Sequence, residues 1–131
     1  PTGLETGGDK TIFVGVEDLN EDAHGIGLNA DVITAKVELQ LRKNGLKSSK
    51  EPDSNGYLYV NVNVVGDGFT IFVSYRRFVT YFVGSDAFTT IGDVWKKVGT
   101  GAHADDSDYI IASVLQLVDL FSAEYLKANN L

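Results

Sequence analysis

Apolar positions along this chain switch between two periods, and the switches mark its elements. Lys10 to Leu19 is rich in β-branched and aromatic residues, with Ile12, Val14 and Val16 alternating, which predicts a strand. Asn20 to Gly27 breaks the pattern as a polar loop. From Asn29 the period lengthens: Ile33, Val37 and Leu41 recur every four residues, flanked by Val32 and Leu39. Asn29 is a suitable N-cap, Asp31 complements the helix dipole and Asn44-Gly45 supplies a stop, so a helix is predicted over Ala30 to Lys43.

Leu46 to Gly56 is polar and turn-rich, with room for a short edge strand at its start. The strongest alternation follows: Leu58, Val60, Val62 and Val64 share one face of a strand whose other face carries Tyr57, Tyr59, Asn61 and Asn63. Gly66-Asp67-Gly68 predicts a hairpin turn into a long partner strand, Phe69 to Phe82. Gly84-Ser85-Asp86 predicts a second turn into Phe88 to Val98, with Gly92 a candidate bulge and the meander ending at Gly99 to Ala104. Finally Ile110, Val114, Leu117, Val118, Phe121 and Tyr125 form a helical stripe.

The order is strand, helix, short strand, three-strand meander, helix. It predicts an α+β domain in which two helices pack on one face of a four- to five-stranded, mainly antiparallel sheet, the face of the four alternating apolar residues. Residues 1–9 lack any apolar period and read as a flexible leader that adds little to the core, with one domain over 10–131.

Composition narrows the function. Eleven basic residues against eighteen acidic ones give a net charge of −7, and the basic residues gather into nothing larger than pairs such as Arg76-Arg77 and Lys96-Lys97. Nucleic acid and anionic membrane surfaces are therefore poor partners. The run from Tyr109 to Phe121 is short for a bilayer and contains Asp119, so no transmembrane segment is expected. Cysteine is absent, which removes disulfides and thiolate chemistry. The lack of any methionine points to a processed chain from which a signal peptide has been removed.

No cofactor is implied, and no catalytic motif stands out. There is no GxSxG elbow around Ser74 or Ser85, and the glycines of Gly25-Ile26-Gly27 and Gly66-Asp67-Gly68 do not have phosphate-binding spacing. The weak metal candidates are His24 and His103, which the topology could bring to one end of the sheet, with acidic residues such as Asp18 and Asp105. They lack a ligand spacing, and aspartates before a helix have a sufficient role as caps.

The uncovered sheet face is the main candidate site. Beside Tyr57, Tyr59, Asn61 and Asn63 the partner strand offers Phe72, Ser74, Arg76 and Phe78 in one register. In the other it offers Ile71, Val73, Tyr75, Arg77 and Val79. Tyr57, Tyr59, Asn61, Asn63, Tyr75, Arg77 and Trp95 are the expected interaction residues. An interface is placed ahead of a merely solvated face, because interleaved Tyr, Phe and Arg match interface cores. A homo-oligomer joined through the sheet is the leading expectation. The alternative is a carbohydrate or small-ligand pocket lined by Tyr57, Tyr59, Tyr75 and Trp95.

The segments LNADVITAKVELQLRKNGL, GYLYVNVNVV and VDLFSAEYLKANN, over most of Lys10 to Leu131, resemble a group of exported bacterial proteins of uncharacterised role. The element order is also similar to the amino-terminal domain of TolB-like proteins and of curli-secretion lipoproteins, envelope modules that bind partners. The resemblance implies a periplasmic or secreted, non-enzymatic domain with an envelope protein partner, and carries over no catalytic residue.

Overall fold

The computed structural model describes residues 2–52 and 55–131. Pro1 of the expected leader and Asp53-Ser54 of the expected loop lie outside them. The elements are β1 (Thr11–Val16), α1 (Glu21–Gly25), α2 (Ala30–Lys43), β2 (Lys47–Ser49), β3 (Tyr57–Val65), β4 (Gly68–Val83), β5 (Asp86–Ala102) and α3 (Ser107–Ala128). They form one sheet in the order β2-β1-β3-β4-β5, with β1 parallel to both its neighbours and the remaining pairs antiparallel. The α+β architecture is that expected, with α2 and α3 packed together on one face.

Register follows from burial. Val14 pairs with Leu58, Val60 with Val73 and Val62 with Ile71, so all of these point to the helices. They meet Ile33, Val37 and Leu41 of α2 and Ile110, Val114, Val118, Phe121 and Tyr125 of α3 in one core. Phe121 is its aromatic centre, within 5.3 to 5.4 Å of the rings of Tyr75, Trp95 and Tyr125. The α3 helix is long and apolar enough to cross a membrane by composition, and here that apolar stripe is spent on the sheet.

Four expectations are corrected. The Asn20 to Gly27 segment holds the short helix α1, because Asn20 caps it by accepting from the Ala23 amide at 3.3 Å. The same side chain donates to Val64 O at 2.7 Å and fastens α1 to β3. The bulge falls at Val94, not Gly92: Tyr75 pairs with Trp95 and Arg76 with Asp93, leaving Val94 without an opposite residue. β5 runs through the expected stop to Ala102, since Gly99 and Gly101 lie opposite Ile71 and Phe69, where a Cβ would come within 3.0 Å of those side chains.

The fourth concerns the leader, which does contribute to the core. Leu4 is buried, and Asn129 at the end of α3 gathers the segment: its carbonyl accepts from the Thr6 amide at 2.7 Å and its amide donates to Leu4 O at 2.9 Å. Tyr125 donates to Asp9 O at 2.6 Å. These polar contacts span almost the whole chain, so local periodicity carries no trace of them.

Candidate interaction surface

On the uncovered face, Tyr57 pairs with Arg76, Tyr59 with Ser74, Asn61 with Phe72 and Asn63 with Thr70. The first of the two possible registers is thus the one adopted. Tyr59 donates to Glu17 at 2.6 Å and lies under the Arg76 guanidinium, 3.7 Å from the ring centroid. Arg76 reaches on to Asp93 at 3.0 Å, and Lys96 sits 4.7 Å above the Phe72 ring. Burial pushes the Tyr59 phenol above its ordinary pKa, and its bond to Glu17 adds to the rise. A hollow of about 230 Å³ lies beside Tyr57, Tyr59 and Arg76 and is bounded by Glu17 and Asp18.

Three of the expected interaction residues are elsewhere. Tyr75 pairs with Leu58 and with Trp95, so both aromatic rings turn to the helices and are buried. The Trp95 indole donates to Glu124 of α3 at 2.6 Å. Arg77 holds the chain together, donating to Asn55 O at 2.8 Å, Gly3 O at 2.9 Å and Glu5 O at 2.8 Å. The proposed four-aromatic pocket of Tyr57, Tyr59, Tyr75 and Trp95 is therefore split between opposite faces of the sheet.

The histidines and acidic loops have other work. His103 is buried, with one ring nitrogen 2.7 Å from Gly66 O and the other accepting from the Asp105 amide at 2.9 Å. Asp22 of α1 accepts from the Gly66 amide, so the segments bearing His24 and His103 do meet at the β3–β4 turn. His24 and Asp18 are exposed, and Asp106 caps α3. Among the described residues no three His, Cys, Asp or Glu side chains converge as a metal site.

The surface that stands out is one that periodicity did not single out. β3 has nine residues while β4 and β5 have sixteen and seventeen. Past the Arg76–Tyr57 pair, β4 has β5 as its only strand partner among the described residues, and Phe78–Val83 with Asp86–Ile91 form a two-stranded arm. One face carries Phe78, Thr80, Phe82, Ala87, Thr89 and Ile91, continuous with the uncovered face of the sheet. The other carries Val79, Tyr81, Val83 and Phe88, with the Tyr81 and Phe88 rings stacked at 5.5 Å.

These side chains are largely in solvent: Phe82 is 70% exposed, Phe78 62% and Ile91 50%. A free two-stranded ribbon is marginal in water, and among the described residues it is held by cross-strand contacts such as Thr80 with Thr89 at 3.2 Å. At the root of the arm, Pro52, Gly56, Tyr57, Phe78 and Ile91 line a hollow of about 130 Å³ beside Arg76 and Arg77.

No protein-family profile and no curated protein matches the sequence. Among solved structures, a minor lipoprotein from Acinetobacter baumannii aligns over 92% of each chain with 11% identity and a TM-score of 0.27. Agreement at that level bears on neither fold nor function.

Proposed function

We propose that this chain is a non-enzymatic, exported interaction domain whose contact surface is the β4–β5 arm. The observation that carries the reading is the exposure of Phe78, Phe82 and Ile91 on a ribbon that, among the described residues, is covered on neither face. Contiguous apolar surface of this kind is costly in water and marks a surface that a partner covers. The arm is also nearly free of charge: between Phe78 and Gly92 only Asp86 is ionised, in a chain with 29 charged residues. Loss of charge together with aromatic enrichment is the composition of an interface core. The exported location, periplasmic or secreted, rests on the sequence resemblance, and recovery of the protein in the periplasmic or culture fraction checks it.

A photoreactive phenylalanine analogue tests the contact surface. Placed at Phe82, it is expected to give discrete cross-linked products in an envelope extract, lost when Ile91→Ser is added, with none from Leu120 on α3. Products from Tyr57 or Leu120 and none from Phe82 would move the contact away from the arm.

The small-ligand reading retains one observation, the hollow beside Tyr57, Tyr59 and Arg76 with two carboxylates at its rim. It fits a small polyhydroxylated or cationic molecule. Calorimetric titration with oligosaccharides is the check, and no heat at millimolar ligand removes it.

A further inference from the structure

Resting on the reading of the arm as a contact surface, we infer that its partner is a second copy of this chain, joined arm to arm across a twofold axis at Thr80 and Thr89. The arm is complementary to itself. Along β4, Phe82 lies two residues beyond Thr80 and Phe78 two residues before it, on the same face. Laying two such faces together in opposite directions brings each Phe82 onto the partner's Phe78 and Ile91, and Thr80 onto its own equivalent. That is the self-complementary form a twofold contact requires.

Two observations fit this occupant. The hollow at the root of the arm, about 130 Å³ and lined by Tyr57, Phe78 and Ile91, is close to the roughly 150 Å³ that accommodates a benzene ring. The Phe82 ring would fill it. Two chains of net charge −7 repel elsewhere, and the nearly neutral arm is where they can approach.

On the face that meets the partner, Phe78, Phe82 and Ile91 are 62%, 70% and 50% exposed. At about 150 to 200 Å² per side chain they leave roughly 300 Å² of apolar surface, less than half of the about 800 Å² per partner in an ordinary stable interface. With the adjoining Tyr57 and Arg76 surface this makes a small, reversible contact that fills with rising concentration.

The test uses the whole chain in sedimentation velocity over micromolar to high-micromolar concentration, with short bismaleimide cross-linking of Thr80→Cys. Since the chain has no native cysteine, the introduced thiol can join only to its own equivalent. The expected result is a species of twice the chain mass. Thr80→Cys should cross-link through a spacer of about 10 Å, the separation of facing sheets, while Leu120→Cys should not. Phe82→Ser should abolish the dimer with the circular dichroism spectrum unchanged.

A chain monomeric throughout overturns the inference, as does a dimer that persists in Phe82→Ser or fails to cross-link at position 80. Monomers that bind neutral lipid vesicles through Phe82 also overturn it. In each case cross-links from Phe82 to other proteins would still uphold the arm as a contact surface, so the two failures remain distinguishable.

Discussion

Gly56 is the residue where the backbone tolerates least. Its φ is +138°, and an added Cβ would lie 2.4 Å from Arg76 O and 2.8 Å from the Arg77 side chain. Gly56→Ala is expected to cost about 2 to 4 kcal/mol in urea unfolding, combining steric overlap with an unfavourable dihedral. Asn129→Ala removes the side chain that gathers the amino-terminal segment and should cost about 1 to 3 kcal/mol, with faster hydrogen exchange at the Thr6 amide. The Glu5 carboxyl, held down to about 2 chiefly by the Thr2 amide, gives the same segment a pH dependence. Because its folded pKa lies below the ordinary 4.5, its contribution is present above that value and is lost as pH falls toward 2. Amide protection at Thr2 and Gly3 should fade over that window, and in Glu5→Gln it should be low at every pH.

Phe121 and Phe82 show how one residue type serves two ends. Phe121 is fully buried among three aromatic rings, and Phe121→Ala should cost about 3 to 5 kcal/mol. Phe82→Ser should leave the melting temperature of the isolated chain nearly unchanged. The elements themselves were largely legible in the sequence. Asn29 and the Ile33, Val37, Leu41 spacing defined α2, and the apolar alternation in β3 defined which face is buried. Two things were hidden for physical reasons. α1 is a single capped turn held by Asn20 bridging to β3, too short to show a period. The direction of Tyr75 and Trp95 depends on register and on the Val94 bulge, which a pattern of period two does not specify. The arm did leave a signal. In Phe78 to Val83 both parities are apolar, apart from Thr80, and the two strands outrun β3 by about seven residues, so neither face can be assigned to the core.

At the scale of the molecule, the two-layer body is complete on its helix side and closed on its sheet side by charge and hydrogen bonds. Tyr59, Glu17, Arg76 and Asp93 satisfy one another at its centre, while Phe78, Phe82 and Ile91 of the arm are left in solvent. The phenol of Tyr59 should consequently ionise later than exposed tyrosines in an ultraviolet pH titration, and Glu17→Gln should bring it earlier by removing the acceptor charge. The long strands of the sheet thus serve two purposes, core pairing on one side of the Val94 bulge and display on the other. Hydrogen exchange of the Phe78 to Ile91 amides measures that display most directly. With the partner present, or at high concentration of the chain itself, these amides should become protected to the level of β3, and Phe82→Ser should return them to fast exchange. Fast exchange of the arm under every condition, with new protection appearing instead around Tyr57 to Asn63, would contradict the assignment of the arm as the contact surface.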